Sequence, residues 1–153
     1  MDVKYVNPFV DSFATVMPQL GFTTIKKGNL SIKGKELLSS GVIIIVGIVG
    51  AIKGNIVYSI DMEDAKKIAS KMMMGMSVSE LDELAQSAIS ELTNMLAANA
   101  ATSFSTMDIM IDISTPTLLH GKNISVKMSS AQVLCVQLLA DDIPIEVNVA
   151  FEN

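Results

Sequence analysis

Three features of the sequence predict an α+β fold, an antiparallel β-sheet with helices packed on one face. The segment Ile143 to Phe151 alternates, with Ile143, Ile145, Val147, Val149 and Phe151 on one side and Pro144, Glu146, Asn148 and Ala150 on the other. That is the period-two signature of a half-buried strand, one face of which is expected to be wet. Residues 42–52, VIIIVGIVGAI, form a run rich in valine and isoleucine that does not alternate, which suits a central strand covered on both faces. Residues 77–104 repeat apolar side chains at helical spacing. At 153 residues the chain is long enough to bury a core without disulfides or metal, and it is read as one domain, 1–153.

The elements follow in order. Asn7 then Pro8 is a cap followed by a first-turn proline, and Phe9, Val10, Phe13, Val16 and Met17 continue at helical spacing until Pro18 and Gly21. Ile25, Leu30 and Ile32, separated by lysines, glycine and asparagine, suit a short hairpin-like pair. Residues 42–52 and 55–60 flank Lys53-Gly54, a tight turn between two strands. Asp61 is placed to cap a helix over roughly 62–74, with Gly75 as its stop and Lys66, Lys67 and Lys71 on its solvated face. Ser77 and Glu80 have capping-box spacing. Leu81, Leu84, Ala85, Ala88, Leu92, Met95, Leu96 and Asn99 then trace the packed side of a long helix reaching about Phe104. Four strands close the chain at 109–113, 124–128, 132–139 and 143–151, punctuated by Pro116, Gly121, Ser129-Ser130 and Asp141-Asp142.

Composition removes several classes of function. Eleven basic residues against sixteen acidic ones give a net charge of −5, and every basic residue is lysine. A basic face for nucleic acid and a bidentate guanidinium clamp on phosphate are both disfavoured. One histidine, His120, and one cysteine, Cys135, cannot complete a structural zinc site, and no calcium-loop pattern is present, so no metal is expected to be bound by this chain alone. His120 beside Gly121 reads as a polar turn residue, and Cys135 as a small buried hydrophobe in a reducing compartment. Neither P-loop, G-x-G-x-x-G nor G-x-S-x-G spacing occurs. The N-terminal stretch lacks the pattern of a signal peptide, and the longest apolar run is far short of a membrane span. A cytoplasmic location and no membrane are expected. Methionines 72, 73, 74 and 76 read as core filler at a helix end, or as an adaptable rim.

What remains is a row of polar residues. Ser87, Glu91, Asn94 and Ala98 fall in one narrow sector of the long helix. Ala98 and Ala101 leave a low surface on which another protein could lie. The Asn94 carboxamide is neutral and can orient a water, and Glu91 beside it can register a partner's lysine. Plain solvated surface is the alternative reading of the same residues.

At these residues the sequence resembles the CheC, CheX and FliY family of chemotaxis phosphatases. The family's mark is an acidic residue or serine, then E-x-x-N four positions on, then a proline about twenty-two positions further. Here that mark is Ser87, Glu91, Asn94 and Pro116, in SAISELTNMLAANAATSFSTMDIMIDISTPT. The likeness extends over a leading helix, GVIIIVGIVGAIKGNIVYSID, a lysine-rich helix ending in Met-Gly, the motif helix and the closing strands. The first helix carries Asp11 but no E-x-x-N, which is similar to the single-site, CheX-like branch. The resemblance implies dephosphorylation of the aspartyl phosphate of the response regulator CheY, with Asn94 holding the attacking water and Glu91 paired with the regulator's active-site lysine. It implies that Ser87 is a lesser contact at the edge of the partner and that Pro116 shapes the loop beside the helix, with Ala98 continuing the partner-facing row. It implies no cofactor of the chain's own, Mg²⁺ being supplied by the regulator, and a homodimer with a shared sheet. A non-catalytic regulator-binding or flagellar-switch module using the same helix, or a structural dimerisation domain, would be the rival functions.

Overall fold

Among the described residues seven strands, every neighbouring pair antiparallel, form one sheet. The computed structural model describes residues 3–152. Its helices are α1 (Asn7–Val16), α2 (Met62–Met72) and α3 (Glu83–Ser105), with 3₁₀ turns at Val3–Val6 and Met17–Leu20 on either side of α1. The strands are β1 (Ile25–Lys33), β2 (Glu36–Gly50), β3 (Gly54–Ile60), β4 (Ile111–Ile113), β5 (Thr117–Lys127), β6 (Val133–Ala140) and β7 (Ile143–Phe151), in the order β1-β6-β7-β3-β2, with β4 and β5 sharing the free edge of β2. Among the described residues no helix is long and apolar enough to cross a membrane.

One face of the sheet carries the main core. Val42, Ile44, Val46 and Ile48 of β2 and Ile145, Val147, Val149 and Phe151 of β7 pack with the buried sides of the helices. Phe104 near the end of α3 meets Phe9 of α1 at 5.6 Å between ring centroids and Tyr5 at 6.0 Å. These tilted, edge-on contacts fix the far end of α3 against α1.

The opposite face is where local pattern gave an incomplete account. Residues 42–48 are buried on the helix side, but on the other side only Ile43 is fully covered, Ile45 and Gly47 being half-buried and Val49 exposed, and that second cover comes from the chain itself. β2 begins at Glu36, six residues before the apolar run, and its residues 36–45 pair with β5. A register shift in this pairing lies between Ser39 and Gly41, where Gly41 has φ +112. A β-carbon at Gly41 would stand 2.5 Å from the Ile60 carbonyl oxygen, so the bend requires glycine. Leu37, Val126, Met128 and Val133 join Ile43, Val57 and Ala150 in a small second core on that face. The doubly apolar strand therefore needs no other chain to cover Ile43. The outer face of β7, expected to be wet, is wet only at its start. Asn148 and Ala150 are buried, and Asn148 donates from Nδ2 to the Val57 carbonyl at 3.2 Å.

Several local expectations are revised. Residues 25–33 form a single strand paired with β6, with the glycine and asparagine absorbed in a bulge between Lys27 and Leu30. β5 runs through Gly121, and His120 lies exposed in that strand opposite Val42. Asp61 precedes α2 but its side chain makes no cap hydrogen bond. Met74 and Met76 are exposed, whereas Met72 and Met73 pack against the core. Helix α3 starts at Glu83 because the Asp82 carboxylate accepts the Ala85 N–H at 2.9 Å. Ser77 and Glu80 lie in the connection before it, and Leu84 is exposed. The buried side of α3 is Ala85, Ile89, Leu92, Leu96, Ala97, Ala100 and Phe104, with Thr93.

Candidate functional site

Helix α3 holds its outer row in register by what it buries. Thr93 is 1% exposed, and its hydroxyl donates back to the Ser90 carbonyl at 2.9 Å and the Ile89 carbonyl at 3.2 Å. The hydroxyl is thus satisfied within the helix. With Ile89, Leu92, Thr93 and Leu96 turned inward, Ser87 and Glu91 are exposed and Asn94 is half-buried. Glu91 and Asn94 are three positions apart, which puts their β-carbons about 5–6 Å apart on the helix surface.

Facing this row is the passage from β4 to β5. β4 pairs with residues 48–50 of β2 and β5 with residues 36–45, so residues 114–116 bridge two strands on the same edge. Proline suits that bridge because it needs no partner for an N–H. Between bridge and helix lies an open groove of about 570 Å³, lined by Glu83, Gln86, Ser87, Ser90, Glu91 and Asn94 on one side and Thr115, Pro116 and Leu118 on the other. The helix-borne wall, from Glu83 to Asn94, is about 16 Å long at 1.5 Å per residue.

Ser87, Glu91, Asn94 and Pro116 are therefore brought together around one space. Ala98 is exposed one turn beyond Asn94, on the same stripe of α3 but outside the groove. Pattern reading passed over Glu83, Gln86 and Ser90, although their spacing from Ser87 puts them on the same side of the helix. Gln86 also donates from Nε2 to the Leu81 carbonyl at 2.8 Å, tying the helix to the segment before it. Thr115 and Leu118 were findable only as neighbours of Pro116.

The groove's chemistry is that of recognition and orientation. Its lining holds two carboxylates and no cation. Among the described residues no side-chain hydrogen bond or ion pair engages Glu83, Ser87, Glu91 or Asn94. Acceptors, hydroxyls and one carboxamide are thus free to meet a partner. No histidine or cysteine lines the groove, so it offers neither the usual general base nor a thiol nucleophile. Among the described residues no group of three or more His, Cys, Asp or Glu side chains is placed to hold a metal ion. Elsewhere, burial pushes the Cys135 thiol pKa up from its ordinary value.

Comparison with known proteins gives this geometry a family. The family described as Chemotaxis phosphatase CheX matches residues 42–139. The chain is 36% identical over 128 residues to the CheY-P phosphatase CheX of Thermotoga maritima, covering 83% of this chain and 82% of that one. Its fold superimposes on a CheC-like superfamily protein from Shewanella sp. PV-4 with a TM-score of 0.87 at 26% identity, over all of both chains. A further match is the CheX of Borrelia burgdorferi, solved as a CheX-CheY-BeF3-Mg²⁺ complex. There the TM-score is 0.83 at 26% identity, covering 99% of this chain and 100% of that one. On sequence and on fold alike, the chain belongs to the CheX family of chemotaxis phosphatases.

Proposed function

We propose that the protein hydrolyses the aspartyl phosphate of a CheY-type response regulator, with Asn94 holding the attacking water and Glu91 pairing with the regulator's active-site lysine. The observation that carries this reading is the unengaged carboxamide of Asn94, half-buried in an open groove beside an exposed, unpaired Glu91. Attack of water on phosphorus requires an aligned nucleophile and neutralisation of charge on the transferred oxygens. Asn94 can serve the first need, since its carbonyl oxygen accepts from a water whose lone pair then faces phosphorus. Cations for the second need are absent from this groove and would come with the regulator, whose bound Mg²⁺ screens the phosphoryl oxygens. A CheX solved with CheY, BeF3 and Mg²⁺ is consistent with that division of labour.

Glu91 then acts by registering the two proteins, and Ser87 and Pro116 border the docked loop. Ala98 leaves room for the partner to lie along α3. A homodimer is part of the same reading, and sedimentation of the purified chain tests it directly.

The decisive experiment is phosphate release from a phosphorylated CheY-type receiver domain with Mg²⁺, using wild type and Asn94→Ala. Loss of one positioned polar group of this kind typically lowers the rate by about 10²–10³. Asn94→Ala is expected to bind the receiver normally and to lose that factor in kcat. Unchanged turnover would remove the water-positioning role, and association without any acceleration by wild type would leave a binding module.

A further inference from the structure

The wall opposite Asn94 hangs from the sheet by an unusual connection. Where β4 gives way to β5, the Ser114 N–H donates to the Gly47 carbonyl at 2.9 Å. In a regular antiparallel pair the Gly47 N–H would return to a backbone carbonyl. Instead it donates to the Ser114 hydroxyl oxygen at 2.8 Å. The same hydroxyl donates onward to the Thr115 carbonyl at 3.1 Å. One side-chain oxygen therefore links the edge of β2 to the peptide unit directly before Pro116, and Thr115 and Pro116 are the groove wall.

Resting on the phosphatase reading above, we infer that Ser114 is a positioning residue: its hydroxyl fixes the Thr115–Pro116 wall relative to Asn94, and so the angle at which the partner's phosphoryl group meets the held water. The two walls differ in stiffness. The Asn94 wall is a helix packed on the core. The opposite wall is a short bridge held at its start by the Ser114 main-chain bond and by this hydroxyl. Without the hydroxyl, the Gly47 N–H and the Thr115 carbonyl both turn to solvent, and Thr115–Pro116 can shift between the two holds that remain, the Ser114 main-chain bond and the Thr117–Ile45 pairing. A displacement of about 1 Å in a reacting pair lowers a rate by up to about 10².

Steady-state phosphate release with phosphorylated CheY-type receiver, for wild type, Ser114→Ala and Ser114→Thr, tests this. Ser114→Ala is expected to lower kcat about tenfold with KM within threefold, and Ser114→Thr, which keeps the hydroxyl, to restore kcat to within twofold. Melting temperatures should agree within about 2 °C, since Ser114 is exposed and outside the core. A wild-type kcat in Ser114→Ala overturns the assignment, as does a loss confined to KM or one that threonine does not restore. If wild type itself releases no phosphate, the phosphatase reading falls and the Ser114 role with it. An active wild type beside an unimpaired Ser114→Ala removes the Ser114 role alone.

Discussion

Replacing Glu91 by glutamine removes one charge while keeping the length of the side chain, and the groove makes its consequence calculable. Glu91 is exposed and has no cation near it within the groove, so in the free protein the substitution breaks nothing. The melting temperature should move by no more than about 1–2 °C, in line with surface changes of about 0.5 kcal/mol or less. In the complex the carboxylate would face a lysine in a cleft partly closed by the partner. A hydrogen bond to a charged group contributes about 1.5–3 kcal/mol. Taking about 2 kcal/mol, and 1.4 kcal/mol per tenfold, KM for the phosphorylated receiver should rise about 30-fold. A screened pair also has a salt signature: raising ionic strength from about 0.05 to 0.5 M should weaken wild type more than Glu91→Gln. The assay is phosphate release against receiver concentration at both ionic strengths, with direct titration of binding beside it. A KM within twofold of wild type, with the same salt dependence, would refute the docking argument; a fall confined to kcat would move Glu91 from docking to the chemical step.

Two further predictions concern the scaffold. The Tyr58 hydroxyl is fully buried and has no hydrogen-bond partner among the described residues, and burial raises its pKa well above the ordinary tyrosine value. Tyr58→Phe removes an unsatisfied group and is expected to stabilise by about 1–2 kcal/mol, a rise of about 2–8 °C in a thermal melt; a lower melting temperature would count against the placement of that ring. Asp141 accepts from the Thr23 and Thr24 N–H groups at 2.9 and 2.8 Å and from the Lys71 ammonium at 2.6 Å. Hydrogen bonding to Lys71 first, then to Thr24, holds its carboxyl well below the usual carboxylate range. A lowered folded pKa contributes stability that is present above the unfolded value, near 3.9, and is lost as pH falls below it. Urea melts at pH 7 and pH 3 should therefore show Asp141→Asn less stable than wild type at the higher pH and the gap narrowing at the lower. A constant gap would exclude the linkage.

The sheet was legible because β7 alternates and residues 42–48 of β2 do not, although Asn148 and Ala150 are buried too, so the alternation marked a strand without showing that one face stays wet. Hidden from that reading was the arm of β2 before Gly41, whose Leu37 and Leu38 sit among polar residues and give no run. Its path depends on pairing with β5 nearly ninety positions away, which no local window contains. The start of α3 was misplaced because Ser77 and Asp82 both offer cap chemistry, and the choice between them rests on where the chain leaves α2. The polar row was legible from helical spacing alone, and so was the common side of Glu83, Gln86 and Ser90. The second wall of the groove was accessible only through the family's proline, since nothing local says that residues 114–116 stand across from α3. The Ser114–Gly47 bond spans 67 positions and had no sequence signal.

Asn94 is the middle residue of a 23-residue helix. Fraying advances inward from both termini, and here it must strip Ala85 and Ile89 on one flank or Phe104, Ala100 and Ala97 on the other before it reaches residue 94. The backbone under that carboxamide should thus open only when the domain opens, and its amide proton should be among the slowest in α3 to exchange with solvent. A receiver domain that arrives meets an arm already set, and little ordering of the phosphatase side has to accompany the encounter.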